Sequence, residues 1–215
     1  LKTSLKIIFA LVLAFVAFLF WQAEVSNAVR PAVLQIEPGA TEADITTIAF
    51  GSCNRQSEAQ DYWPVIGAHH PDAWLWLGDI IYADRYGIDG LAGQYDIQKK
   101  APAYAAFIDE TNYVYGIYDD HDYGMNDGGK EYEHKAVAMH HLLQFLDVPA
   151  DAAVRQREGS YQSYLIGEGD RVVKIILLDS RYFRDAVAPP TKKDHRYGQN
   201  KTGDILGEAQ WAWLE

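Results

Sequence analysis

The sequence has a single cysteine, Cys53, among 215 residues, so it cannot form an internal disulfide and a disulfide scaffold is excluded. Basic residues are also scarce, because 19 Lys and Arg stand against 30 Asp and Glu and leave a formal charge of −11. Since proteins bind nucleic-acid phosphates through a surplus of Lys and Arg, this balance argues against a nucleic-acid partner. A phosphate-containing substrate stays open if bound metal ions reverse the sign of the local charge.

Apolar residues, in contrast, are plentiful. They make up 48% of the chain, and 13% of all residues are aromatic. This composition is far from that of disordered chains and is sufficient for a substantial core. The sequence contains no internal repeat or low-complexity stretch. Its length fits one domain, or slightly more than one.

Residues 1–28 have the pattern of a secretory signal peptide. Two lysines near the start precede an uncharged apolar run over residues 7–21, and small residues follow at 26–28. The run is shorter than the roughly 20 residues that span a bilayer comfortably. An uncleaved anchor over residues 7–22 is the alternative, and it would attach the protein to a membrane. Both interpretations predict export, to the periplasm or the extracellular space.

The rest of the chain predicts an α/β fold. Residues 29–45 contain Pro31, Pro38 and Gly39 and form an irregular lead-in to a domain over residues 46–215. Apolar and β-branched runs predict strands at 46–50, 73–77 and 113–118 and a hairpin of 161–166 with 171–178, while helical spacing predicts helices at 58–67, 94–110, 131–146 and 206–215. Alternating strands and helices indicate helices packed over a mixed sheet. Ligands of such sheets bind beyond the carboxyl ends of the strands.

Acidic residues follow two of these strands. Asp119, Asp120 and Asp122 surround His121 after the third strand, and Asp79 follows Gly78 after the second. Carboxylates at this spacing repel one another unless a cation holds them, so the pattern favours a metal site. A solvated acidic turn and a helix-capping Asp79 are the alternatives.

Cys53 and Tyr82 also lie at strand ends. Thiolate and phenolate are strongly donating anionic ligands, and together they favour a trivalent ion such as Fe³⁺. Carboxylate and amide oxygens at Asp120 or Asn126 suit Ca²⁺ or Mg²⁺. Taken singly, Cys53 is more typical of a buried thiol and Tyr82 of a packed aromatic ring.

Five segments, in order, resemble the PhoD-like alkaline phosphatases of the calcineurin-like metallophosphoesterase superfamily. They are residues 48–54, 76–82, 119–127, 178–181 and 206–214. The resemblance implies a four-layer α-β-β-α sandwich that carries Fe³⁺ with Ca²⁺ and hydrolyses small phosphomonoesters and phosphodiesters. The family pattern continues with further metal-binding Asp and His residues, so the resemblance also predicts that these 215 residues contain the domain incompletely at its C-terminus.

The resemblance assigns roles to individual residues. Cys53, Asp79 and Tyr82 correspond to the iron ligands, with Asp79 bridging to a second ion. Asp120 corresponds to a ligand of that second ion, and the choice between Asp119 and Asp120 stays open.

The expected mechanism is attack on phosphorus by a metal-activated hydroxide, with the metals neutralising the phosphate oxygens. His121 and Asp120 are the expected catalytic residues, and His121 would protonate the leaving alkoxide or bind the phosphoryl group. Asn54 and Arg181 are candidate phosphate donors, although Arg181 is equally suited to a structural ion pair.

Two other functions stay open. One is an exported fragment that binds metal or phosphate without catalysis. The other is a hydrolase that uses Cys53 as a nucleophile, for which no local motif supplies a base.

Overall fold

The computed structural model describes residues 45–167, 169–190 and 196–215. The predicted signal peptide or anchor over residues 1–28 lies outside this range, as does the lead-in segment 29–45 except for Ile45. Among the helices described, none has the length and apolar character needed to cross a membrane.

A parallel sheet forms the centre of the fold. It consists of β1 (Ile48–Gly51), β2 (Ala73–Leu77) and β3 (Tyr113–Ile117), with β2 in the middle and both pairs of neighbours parallel. Parallel neighbours need crossover connections. The crossovers contain α1 (Trp63–Gly67) between β1 and β2, and α2 (Gly87–Lys99) and α3 (Pro102–Asp109) between β2 and β3.

The later elements surround this sheet. After β3 come a short helix α4, a longer helix α5, an antiparallel hairpin of β4 with β5, and a final helix α6. Their bounds are α4 Asp120–Tyr123, α5 Lys135–Phe145, β4 Gln162–Ile166, β5 Val173–Leu177 and α6 Gly207–Leu214. Single turns of 3₁₀ helix lie at Asp84–Tyr86, Ala153–Gln156 and Gly169–Arg171.

One face of the parallel sheet packs against helices. Because strand side chains alternate between faces, Trp74 and Trp76 of β2 point the same way. Both are buried and meet Trp63 of α1, whose ring centroid lies 5.1 Å from that of Trp74 and 5.5 Å from that of Trp76. Tyr104 and Phe107 of α3 complete this aromatic part of the core. Burial against these helices thus explains the two tryptophans in the apolar run of β2.

The opposite face packs against the hairpin. Ala73 and Tyr113 share a buried cluster with Ile166, Ile175 and Leu177, and the rings of Tyr115 and Tyr164 stack 3.7 Å apart. The described residues therefore place a helical layer, a parallel sheet and a hairpin in succession. This arrangement confirms the α/β class; a four-layer sandwich is not shown by this part of the chain.

The main differences from the predicted elements have local causes. The single helix predicted at 94–110 is two helices, because Pro102 cannot continue a helix yet fits the first turn of a new one. Ala101 before it is extended, with φ −62° and ψ 120°, as the residue preceding a proline favours. The predicted mixed sheet is instead a parallel sheet and a separate antiparallel hairpin.

Candidate metal centre

The three parallel strands end at the same edge of the sheet, and their following residues are joined there. The backbone N–H of Cys53 donates to the Gly78 carbonyl at 3.3 Å, and that of Asn54 donates to the Asp79 carbonyl at 2.8 Å. These bonds continue the β1–β2 pairing beyond the strands. The topology thereby brings residues of distant sequence segments together.

The backbone at this edge adopts an unusual conformation. Cys53, Gly78 and Asp79 have φ of 57°, 96° and 50°, in the region that L side chains rarely occupy. Gly78 is required for a second reason, because a Cβ there would lie 2.5 Å from the Cβ of Asp119. Strained residues of this kind cluster at functional sites when the surrounding structure holds them.

The buried carboxylate of Asp122 holds this turn in place. It accepts hydrogen bonds from the backbone N–H groups of Asp79 at 3.2 Å, Ile80 at 3.0 Å and Asp119 at 2.7 Å. Burial raises the pKa of Asp122 well above its usual range. Asp122 therefore connects α4 to the turn after β2.

Asp79, Asp120 and His121 form the candidate ligand cluster. Each offers one ligand atom, and these atoms lie within 4.8 Å of one another. The two aspartates are only 6% and 8% exposed. Burial raises the pKa of Asp79, and the negative charges of Asp119 and Asp120 raise it further. Carboxylates crowded in this way fit a bound cation, which would stabilise their ionised form.

Cys53 and Tyr82 approach Asp79 as well. The Cys53 thiol donates to Asp79 Oδ2 at 3.6 Å, and the Tyr82 phenol lies near both Cys53 and Asp79. Burial raises the pKa of the Tyr82 phenol, with a further contribution from the Asp79 charge. The other oxygen, Asp79 Oδ1, accepts from the His121 backbone N–H at 3.3 Å. The carboxylate of Asp79 thus accepts from Cys53 and lies near Tyr82 while it also belongs to the cluster with Asp120 and His121.

Asp84 is a residue of this centre that the sequence did not predict. Its Oδ1 lies 3.0 Å from Nδ1 of His121, in an arrangement that orients the ring when Nδ1 carries the proton. Nε2 of His121 is then the nitrogen left for a metal or a phosphate. The two residues are 37 positions apart, so no local spacing signals the pair.

We expect Asp84→Asn to lower any turnover that depends on His121 by roughly 10- to 100-fold while metal content stays near that of the parent, because a partner that orients a histidine commonly contributes this much. Steady-state rates across pH and metal analysis measure the effect. Restoration of the pH profile in Asp84→Glu would distinguish positioning from loss of fold. Asp89→Asn, an exposed aspartate in the first turn of α2, is the matched control. An unchanged rate in Asp84→Asn would remove Asp84 from this role.

Arg181 and Asp119 form an ion pair. Arg181 Nε donates to Asp119 Oδ1 at 2.5 Å, and its NH2 lies 3.9 Å from Asp120 Oδ1. Asp119 also caps α4 by accepting from the Asp122 N–H. Of the two candidate ligands, Asp120 lies in the cluster with Asp79, whereas Asp119 forms an ion pair with Arg181. Arg181 thus has the ion-pair partner that the sequence left as an alternative to phosphate binding.

The two asparagines of the predicted site have other partners. Asn54 is buried, its amide nitrogen donates to the Ile80 carbonyl and to Gln98 Oε1 at 2.7 Å each, and its oxygen accepts from the Tyr62 hydroxyl. Phosphate binding by Asn54 would require its amide to leave these partners. Asn126 is exposed and donates to Asp127 Oδ2 at 2.6 Å.

The two last segments of the family resemblance meet at Asp179. This fully buried carboxylate accepts from the Tyr118 hydroxyl and from both N–H and hydroxyl of Ser160, and its backbone exchanges two hydrogen bonds with the Gln210 side chain. Residues 178–181 and 206–214 are therefore connected to the end of β3 by a structural network. Through that network Arg181 is placed beside Asp119.

Comparison of this chain with protein-family models, with curated proteins and with solved structures found no match. A function for the centre therefore has to be argued from its geometry and donor chemistry.

Proposed function

We propose that this protein is an exported, metal-dependent hydrolase of small phosphoric esters, of the PhoD-like type. The observation that carries the proposal is the cluster of Asp79, Asp120 and His121, with the Cys53 thiol hydrogen-bonded to the Asp79 carboxylate and the Tyr82 phenol nearby. A carboxylate shared between two groups of donors is what a two-metal hydrolytic centre requires. The proposal includes the four-layer sandwich, of which the parallel sheet and the facing hairpin would be parts.

The donor chemistry supports two different ions. Cys53, Tyr82 and Asp79 would hold Fe³⁺, because anionic sulfur and phenolate oxygen favour it over Mg²⁺. Asp120 would hold Ca²⁺, or Mg²⁺ or another divalent ion, with Asp79. Bound metals would supply a water of lowered pKa and neutralise the phosphate oxygens.

The protein's own residues have distinct tasks in this scheme. His121, oriented by Asp84 through Nδ1, presents Nε2 toward the phosphoryl group and, when protonated, donates to the leaving oxygen. Arg181 compensates the charge of Asp119 beside the cluster. Asp122 fixes the turn that carries Asp79, so the reacting groups are positioned before the substrate binds.

Metal analysis and hydrolysis of a chromogenic phosphodiester by the full chain test the proposal. We expect stoichiometric bound metal, turnover that is lost in chelator, and a visible phenolate-to-iron absorption band that disappears in Tyr82→Phe. Tyr86→Phe, an exposed tyrosine outside the cluster, should keep the band. Full turnover by metal-free protein would overturn the proposal, and bound metal without turnover would favour the non-catalytic alternative.

A further inference from the structure

Arg55 lies beside the centre and stacks on one of its residues. Its guanidinium carbon is 4.3 Å from the ring centroid of Tyr82, and the Tyr82 ring is in turn 4.1 Å from that of His121. The guanidinium of Arg55, the phenol of Tyr82 and the imidazole of His121 therefore lie in sequence, each beyond the end of a different strand of the parallel sheet. Stacking of this kind stabilises an arginine by cation–π attraction and limits its freedom.

The Arg55 guanidinium has no anionic partner among the described residues. The side chain is exposed, and Tyr82 is the contact that the structure gives its charged group. Arg181, on the other side of the cluster, is already compensated by Asp119. A guanidinium with free donors matches two phosphate oxygens at once, so of these two arginines Arg55 is the better placed to bind a new anion.

A cleft of about 400 Å³ opens next to Arg55. Cys53, which contacts Asp79, and Arg55, which stacks on Tyr82, line the cleft. Its exposed aromatic residues are Phe50 and Tyr62, which are 66% and 40% exposed. Its volume is within the usual range for small-molecule sites. Exposed aromatic side chains favour a planar apolar group, and the carboxylate of Glu58, which also lines the cleft, disfavours a second anion there.

We propose that Arg55 binds phosphoryl oxygens of the ester and that the cleft receives an uncharged aromatic group of the same ester. This inference rests on the proposed hydrolytic function and narrows its substrates to aryl-type phosphate esters. Cys53 belongs to both the cleft and the donors around Asp79, so a ligand with its phosphate at the centre can extend directly into the cleft.

Isothermal titration of the full chain with inorganic phosphate tests the arginine. We expect Arg55→Gln to weaken phosphate binding by about 10- to 100-fold, since hydrogen bonds to charged groups commonly contribute this much. Arg55→Lys should recover only part of the phosphate affinity, because lysine keeps the positive charge but lacks the planar guanidinium that donates two parallel hydrogen bonds. Arg85→Gln is the matched control, an exposed arginine whose guanidinium carbon lies 4.8 Å from the centroid of another tyrosine ring, that of Tyr86. Equal effects of Arg55→Gln and Arg85→Gln, or no measurable phosphate binding by the parent chain, would overturn the proposal.

Phenyl phosphate and methyl phosphate test the cleft. The parent should bind phenyl phosphate at least tenfold more tightly, and Ala59→Phe, which places a ring at the lining of the cleft, should remove that preference while leaving inorganic phosphate unaffected. Val65→Phe, on the exposed side of α1, is the control. Equal binding of both esters by the parent would refute the aromatic specificity. If the protein binds phosphate through Arg55 but hydrolyses no ester, the Arg55 site is supported and the proposed hydrolytic function is refuted.

Discussion

Asp79→Asn is expected to release the bound metal and to lower phosphoesterase turnover about a thousandfold. The carboxylate of Asp79 accepts from the Cys53 thiol, lies near the Tyr82 phenol and also belongs to the cluster with Asp120 and His121. Metal ions contribute several kcal/mol of charge stabilisation, and each 1.4 kcal/mol corresponds to about tenfold in rate. An amide keeps the shape but removes the negative charge that holds the cations.

This substitution preserves the backbone, because Asn tolerates positive φ as well as Asp does. Asp147→Asn provides the matched control, since Asp147 also has positive φ, 54°, and its side chain is 77% exposed and outside the cluster. Plasma emission spectrometry measures the metal content and initial rates measure the turnover, both on one preparation. Asp79→Asn with parental metal content would refute the assignment of Asp79 as a shared ligand.

Asp179→Asn is expected to lower the free energy of unfolding by about 3 kcal/mol. One carboxylate oxygen of Asp179 accepts from Tyr118 and Ser160, and the other accepts from the backbone N–H groups of Arg181 and Tyr182 at 2.9 Å each. An amide at this position must turn its NH₂ toward one set of donors, so buried polar groups lose their acceptor. For a chain of this size the loss corresponds to a decrease in Tm of roughly 6–12 °C.

Urea unfolding and thermal scans of Asp179→Asn and of a control variant measure the change in stability. Asp151→Asn, an exposed aspartate without such donors, serves as the control and should stay within about 0.5 kcal/mol of the parent. A change below about 1 kcal/mol in Asp179→Asn would show that the network contributes little. Because the backbone N–H of Arg181 donates to Asp179 and the Arg181 side chain pairs with Asp119 beside the cluster, a loss of metal affinity should accompany the loss of stability.

The strands were predictable because their signal is local. The apolar run of residues 73–77 matches β2, and the predicted third strand differs from β3 by one residue. The hairpin was predicted in the correct antiparallel form. Helix bounds were less accurate, because the start at Trp63 and the break at Pro102 depend on prolines at first-turn positions rather than on apolar spacing.

The partners within the site could be predicted only in part. Placement of Asp79 and Asp120 at one edge follows from parallel strands alone. The pairing of Asp84 with His121 and of Arg181 with Asp119 joins residues 37 and 62 positions apart, and nothing in the local sequence specifies such contacts. The hydrogen bonds of Asn54 to Gln98 and Ile80 could not be predicted either, because an asparagine beside a strand end is compatible with either a ligand contact or a structural one.

The indole cluster under the centre gives this protein an optical signature. Trp63, Trp74 and Trp76 have ring centroids 5.1 to 5.5 Å apart and planes inclined by 73° to 89° to one another. Transition dipoles at such separations and angles couple, so these rings should produce an exciton couplet in circular dichroism. Trp211, which is 46% exposed, lies outside this cluster. The couplet therefore monitors the packing of α1 against the sheet.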